Sequence, residues 1–309
     1  MPYSRAFTRH KVAILKRQYH FPMLEIPNPF HDESGVLRLL EADDCDRVEI
    51  VRQLLTDTYT KPFMIEADGV RSLYFTRALT QSAVRLSAPD ALEFGYTRMM
   101  MSALLFQPNP QYILMLGMGG GSLAKFCYRH LPTAKICVIE IDADVIAFRD
   151  QFIVPPDDKR LFVLQADADA FVATNMLYAD VIMLDAFDRA GTAAAAINKN
   201  FYQNLRNNLT PKGLLVANMV GSKATRLGHL QGINAAFSGN IVTLPVEHDG
   251  NYLVFAFRDS TFEPRWRWMQ AQAPAMQKRF GLDFPAYVAA LSHARKGGFL
   301  RSMLHQSED

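Results

Sequence analysis

Apolar positions follow two rhythms along this chain. From Val36 to Arg85 they come in short alternating runs, GVLRLLEA, RVEIVRQLL, KPFMIEADGVRSLYF and QSAVRLS, parted by Asp43-Asp44 and Asp68-Gly69. Alternation between turn residues predicts a small antiparallel β domain, with RVEIVRQLL read as one of its strands. From Ala91 to Phe106 the spacing turns helical, with Tyr96, Met99, Met100, Ala103 and Leu104 near one face, and Pro108 and Pro110 end it. Strand-like runs then alternate with helical ones: Tyr112 to Leu116, Ile136 to Ile139, LFVLQ, ADVIMLD, Leu214 to Met219, NIVTLPV and YLVFAFR. Helices are predicted from Ser122, from Asp144 to Phe152, through Asn175, over FYQNLRNNL and from Thr225 to Phe237, and a Pro-Lys-Gly turn before Leu214. This order predicts an α/β fold, a doubly wound and mostly parallel Rossmann-like sheet with an antiparallel end, behind the small N-terminal β domain.

Four segments follow from these rhythms: a basic arm over 1–30, the β domain over 31–90, a nucleoside-binding α/β domain over 91–262 and a helical extension over 263–309. The arm holds Arg5, Arg9, Lys11, Lys16 and Arg17, with no acid until Glu25. It has no apolar stretch of signal-peptide type. In the extension Trp266 and Trp268 lie two apart, off a common helical face, and read as packing residues.

The stretch from Gln111 to Asp142 organises the rest. A strand ends in Gly117-Met118-Gly119-Gly120-Gly121, a helix follows with Leu123, Phe126, Cys127 and His130 on one face, and a second strand delivers Glu140. Strand, glycine loop, helix, strand and acid make the opening unit of a nucleotide- or nucleoside-binding fold, with the acid suited to ribose hydroxyls. From Gly119 the loop fits G-x-G-x-x-A (Gly119, Gly121, Ala124), as nicotinamide and flavin folds allow. From Gly117 it fits G-x-G-x-G (Gly117, Gly119, Gly121), the spacing of S-adenosylmethionine sites. The loop leaves both open.

Composition narrows the partners. With 33 Lys and Arg against 31 Asp and Glu the formal charge is +2, which argues against nucleic-acid and membrane-surface partners. No apolar run approaches membrane-spanning length. Cys45, Cys127 and Cys137 lack C-x-x-C spacing, and the last two sit in apolar patterns as core residues of a reducing compartment, the cytoplasm. The eight histidines show no ligand spacing, so no metal site is expected.

In an open parallel sheet ligands collect at the carboxyl ends of the strands. Here those ends carry the glycine loop, Glu140 and Asp142, Asp167 and Asp169, and Asp185 and Asp188. Such an acidic rim repels phosphates and favours a cationic ligand, a sulfonium or a polyamine. Asp142 and Asp169 read equally well as helix caps; Glu140, Asp167 and Asp185 directly follow apolar strands and read as the site.

From Phe63 to Arg258 the chain resembles the spermidine synthase (polyamine aminopropyltransferase) family of the class I methyltransferase-like fold. The resemblance rests, in order, on QSAVRL, GYTRMM, LMLGMGGGSLAKF, VIEID, ADADAF, VIMLDAFD and LTPKGLLV. It implies aminopropyl transfer from decarboxylated S-adenosylmethionine to a small amine, with methylthioadenosine released, no tightly bound cofactor, and a cytoplasmic homodimer. By the same resemblance Gly117, Gly119, Gly121 and Glu140 hold the donor and its ribose. Asp167 with Ala168 reads the adenine, Asp185 is the base, Tyr96 is the second catalytic residue, lining the donor and amine pocket, and Asp188, Gln81 and Ser122 are the substrate-binding positions.

Three departures accompany it. Ser122 stands where the family has an aspartate that meets the donor's aminopropyl amine. Pro245 to Gly250 lacks the family's tyrosine, and Asp185-Ala186-Phe187-Asp188-Arg189 replaces D-S-S-D-P. Losing the loop acid opens the donor position to S-adenosylmethionine itself, and so keeps methyl transfer, or a nucleoside-binding paralogue without turnover, as alternatives.

Overall fold

The computed structural model describes residues 22–30, 34–186, 199–246 and 250–297. The predicted arm up to residue 21, Asp188 in the acceptor loop, residues 247–249 and the end of the chain from 298 lie outside the described residues.

Five antiparallel strands form the first sheet in chain order: β1 (Leu24–Pro27), β2 (Val36–Leu39), β3 (Phe63–Ala67), β4 (Val70–Thr76) and β5 (Leu79–Arg85). Asp68 and Gly69 both take positive φ (49° and 73°), the two-residue turn that fits the right-handed strand twist and joins β3 to β4. Two readings are corrected here. The sheet begins at Leu24, inside the segment read as an arm, because Ile26 and Leu24 are buried against its core. RVEIVRQLL is helix α1 (Arg47–Leu55), not a strand. The Asp46 carboxylate accepts from the Val48 and Glu49 amides at 3.1 Å, and Ile50 and Leu54, four apart, are the buried pair. A cap and an i,i+4 pair outweigh the local alternation, which leaves Val48 81% exposed.

The second sheet has seven strands: β6 (Tyr112–Leu116), β7 (Lys135–Glu140), β8 (Leu161–Gln165), β9 (Ala179–Leu184), β10 (Leu209–Met219), β11 (Ile241–Pro245) and β12 (Tyr252–Phe257). Their order is β11-β12-β10-β9-β6-β7-β8, parallel throughout except for β12, which runs against both neighbours. Chain order reverses between β6 and β9, which opens the crevice where such sheets take ligands. The helix predicted over Ala91–Phe106 is shorter: α2 (Gly95–Met100) tightens into a 3₁₀ turn (Met101–Leu105). Helices α3 (Ser122–His130), α4 (Ala143–Ala147), α5 (Ala168–Thr174), α6 (Lys199–Asn207) and α7 (Lys223–Ala236) cover the two faces. The Pro-Lys-Gly segment lies inside β10, as an irregularity in its pairing with β9 between Leu209 and Leu214.

The last two helices, α8 (Trp266–Phe280) and α9 (Phe284–Gly297), pack into the main core. Phe106 meets Phe257 edge-on at 5.0 Å between ring centroids and lies 6.4 Å from Trp266. Trp266 therefore packs as expected, whereas Trp268 is 41% exposed and does not. Cys127 and Cys137 are buried, and desolvation pushes both thiols up to about 12. Among the described residues no helix is long and apolar enough to cross a membrane.

Phe255 sits fully buried mid-β12, opposite Val216 and Val242. Phe255→Ala should cost about 3–5 kcal/mol through lost burial and the cavity left behind, read as a lower midpoint in urea unfolding at unchanged m-value.

Candidate active site

A cavity of about 310 Å³ opens at the carboxyl ends of β6, β7, β8 and β9, roofed by β5 and α2. Gly117, Gly119, Ser122, Glu140, Asp167, Ala168, Asp185, Tyr96 and Gln81 all line it. These nine positions of the sequence-predicted site come together, Gly121 caps α3 just beneath as a tenth, and only Asp188 lies outside the described residues.

Backbone geometry explains the glycine at 117. Its φ is +97°, and a Cβ there would lie 2.2 Å from the Asp185 carbonyl oxygen. The Asp185 amide also donates to the Leu116 carbonyl at 2.9 Å, so the ends of β6 and β9 are pinned together. Gly121, at φ +68°, turns the chain into α3 and leaves that N-terminus without a side-chain cap. A Cβ at Gly121 would meet Val154 at 2.5 Å, and one at Gly120 would meet Phe152 at 2.7 Å.

Lys125 holds those neighbours in place, and sequence reasoning missed it. Its side chain is fully buried and its Nζ donates to the Phe152 carbonyl at 2.7 Å. Desolvation pulls the ammonium down to about 8, opposed by Asp90. The signal available was a lysine inside the apolar face LAKF.

Glu140 is buried and both its oxygens are engaged by backbone: Oε2 accepts from the Met118 amide at 2.8 Å and Oε1 from the Asp142 amide at 2.9 Å. Burial raises its pKa and these donors oppose the rise. Each carboxylate oxygen has two lone pairs, so the braced carboxylate still has capacity for two hydroxyl donors. Asp142 caps α4 through the Asp144 amide at 2.8 Å. The cap of α5 is Asp167, whose Oδ1 accepts from Ala170 at 2.8 Å, so Asp169 is not the capping residue and Asp167 is. A residue that ends a strand also starts the next helix here, which the sequence pattern could not separate.

Asp185 is the strongly perturbed carboxylate of the cavity. Its Oδ1 accepts from the Asn218 side-chain amide at 2.9 Å and its Oδ2 from the Tyr96 hydroxyl at 3.3 Å. Desolvation lifts its pKa to about 6 against those two donors. Asn218 in turn accepts from the Asn251 amide at 3.0 Å. Neither asparagine was predicted; the only trace was a polar residue interrupting the apolar LLVANMV run. Ser122 borders the cavity with its hydroxyl directed at β5, 3.4 Å from the Ala83 carbonyl and 3.5 Å from the Ser82 hydroxyl. The first turn of α3 carries no acid.

A spermine/spermidine synthase domain model matches residues 93–240. The polyamine aminopropyltransferase of Chromobacterium violaceum is 31% identical over 232 residues, covering 75% of this chain and 89% of that protein. The chain belongs to the spermine/spermidine synthase family. Family membership agrees with the likeness of fold. A spermidine synthase solved with the transition-state analogue AdoDATO superposes with a TM-score of 0.63 at 18% identity, over 80% of this chain and 86% of that one. The spermidine synthase of Thermotoga maritima superposes with a TM-score of 0.61 at 16% identity, over 96% and 100%. The superpositions support the two-sheet α/β architecture predicted from the hydrophobic rhythm, and the family is one of transferases.

The raised pKa of Asp185 has a consequence for stability in this synthase-family fold. Between its ordinary value of 3.8 and about 6, the folded carboxyl keeps a proton that the unfolded chain has released, so stability falls as pH rises through that window. Asp185→Asn should therefore be more stable than the parent by about 1–3 kcal/mol at pH 8. The gain should vanish below pH ~4, where both states hold the proton, as urea unfolding at the two pH values will register.

Proposed function

We propose that this protein transfers an aminopropyl group from decarboxylated S-adenosylmethionine to a small amine by direct displacement, releasing methylthioadenosine. The observation that carries the reading is one cavity holding a ribose-type acid, Glu140, together with a desolvated carboxylate, Asp185, hydrogen-bonded to a tyrosine. Three carboxylates line it, Glu140, Asp167 and Asp185, which suits a sulfonium donor and an ammonium acceptor.

In this reading the glycine loop and Glu140 hold the nucleoside, with the two ribose hydroxyls donating to the glutamate. Asp167 and Ala168 meet the adenine edge. Gln81 and Tyr96 border the acceptor, and Asp188 completes its loop. The acceptor arrives as an ammonium with a pKa near ~10, so it must lose a proton before it can attack. Asp185 takes that proton, and its raised pKa makes it a better base than an ordinary aspartate. The freed nitrogen lone pair forms a bond to the methylene carbon beside the sulfonium. The carbon–sulfur bond breaks, its electron pair stays on sulfur, and the neutral thioether leaves. Alignment of nitrogen, carbon and sulfur supplies most of the acceleration and the base a smaller factor. No resident cofactor is required, and the family resemblance supports a homodimer in the cytoplasm as the working form.

A second reading is favoured by Ser122. With its hydroxyl tied to β5 and no acid in the first turn of α3, nothing at that position repels a donor carboxylate. An uncapped helix N-terminus favours an anion there. Intact S-adenosylmethionine then binds as well, and methyl transfer becomes the competing activity.

Calorimetric titration with decarboxylated S-adenosylmethionine, S-adenosylmethionine and methylthioadenosine separates the two. Aminopropyl transfer predicts methylthioadenosine release with an amine such as putrescine, and a kcat about 10²- to 10⁴-fold lower in Asp185→Asn with donor affinity retained. A donor preference of a hundredfold or more for the decarboxylated form removes the second reading. Absence of binding by all three nucleosides removes both.

A further inference from the structure

We propose that Asn251 is a positioning residue that locks the Asn218 amide with its NH2 toward Asp185, and so sets how readily Asp185 accepts a proton. The proposal rests on the base role of Asp185 given above and adds to it a device remote from the substrate.

Sheet topology builds the device. In β9 and β10, Leu184 pairs with Ala217, so Asp185 and Asn218 stand side by side at the next step. Across the other edge of β10, Asn218 pairs with Leu253, which makes Asn251 its diagonal neighbour on the same face. The three side chains therefore form a row across β9, β10 and the start of β12. Asn218 and Asn251 are only 5% and 8% exposed, so solvent does not substitute for a lost partner. The backbone at Asn251 is itself anchored, its main-chain carbonyl accepting from the Val246 amide at 2.8 Å.

Direction is what the row encodes. The oxygen and nitrogen ends of an asparagine amide have nearly the same shape, so only hydrogen bonding decides which way Asn218 points. As built, Asn251 Nδ2 donates to Asn218 Oδ1 at 3.0 Å, and Asn218 Nδ2 donates to Asp185 Oδ1 at 2.9 Å. Turned over, the amide would set its oxygen against the carboxylate and its NH2 against the NH2 of Asn251. Both contacts would repel. The bond to Asp185 favours the ionised carboxylate, and Asn251 keeps that bond in place. The groups facing Asp185 are the Asn218 amide from β10 and the Tyr96 phenol from α2, with Glu140 and Asp167 bordering the same cavity.

Asn251→Asp is the diagnostic change. Its carboxylate accepts only, so it pulls the Asn218 NH2 away from Asp185, which must then hold its proton to donate to the exposed Asn218 oxygen. Asn251→Ala removes the lock without reversing it. The primary readout is the titration midpoint of Asp185, followed by carbon-13 NMR of the side-chain carboxyls and assigned by loss of the signal in Asp185→Asn. It needs no substrate. The midpoint should rise by about one pH unit in Asn251→Asp and by less in Asn251→Ala. In an Asn218→Ala background, Asn251→Asp should add little, since the effect runs through Asn218. Where turnover is measurable, the acid limb of kcat/KM should move by the same amount, with the high-pH plateau kept within about twofold. An unchanged midpoint in both variants overturns the proposal. So does an equal rise from Asn251→Asp with Asn218 absent, which would mean a direct charge effect. Failure to turn over any amine in the parent, with the midpoints moving as stated, would reject the aminopropyl reading and leave the positioning role standing.

Discussion

Residue 117 has no side chain, and the rest of the site depends on that fact. With its missing Cβ position 2.2 Å from the Asp185 carbonyl, any larger residue would wedge β6 away from β9. The two strand ends meet at the reversal of chain order, so this one contact sets the distance between the glycine loop and the Asp185 carboxylate across the cavity. A left-handed φ at the same residue is strained for any L side chain, so sterics and torsion both demand glycine.

Around that contact the site is braced by backbone more than by side-chain pairs. Glu140 takes the amides of Met118 and Asp142, so the acid at the tip of β7 also holds the glycine loop in shape. Lys125 and the Phe152 carbonyl press Phe152 and Val154 against the loop from beneath. A preformed site of this kind spends little of its binding energy on ordering itself, which leaves more for alignment of the reacting atoms. Asp185 shows the opposite economy. Its desolvation works against folding, the kind of cost that proteins tend to carry at functional sites.

Legibility in the sequence followed the range of each interaction. The seven-stranded sheet was readable because its strands are short apolar runs parted by helical periods, and the register of Glu140, Asp167 and Asp185 at their ends came with it. RVEIVRQLL was misread because its apolar residues satisfy both periods, and only the Asp46 cap, a single residue outside the run, decides for the helix. The cap role was assigned to Asp169 and not to Asp167, which lines the cavity and caps α5 as well, because a cap is chosen by the geometry of the turn, which two aspartates two positions apart leave ambiguous. Asn218 left only a polar break in an apolar run, and Asn251 left no trace. They are 33 residues apart, carry no charge and gain meaning only when β10 and β12 lie antiparallel. Lys125 was hidden for a similar reason, since its partner is a carbonyl and not a side chain.

One apolar core draws Met64, Leu73 and Val84 of the first sheet together with Met115 and Phe255 of the second, and with Phe284 and Leu291 of the last helix. Segments that look separable along the chain are therefore one cooperative body. During synthesis, the early sheet emerges long before the helix that closes its core. Until α9 has left the ribosome, the nascent chain has apolar surface in search of a partner and is a natural client for chaperones. A ribosome that stalls short of α9 would release a chain with the whole glycine loop, Glu140 and Asp185 yet no finished core to hold them in register.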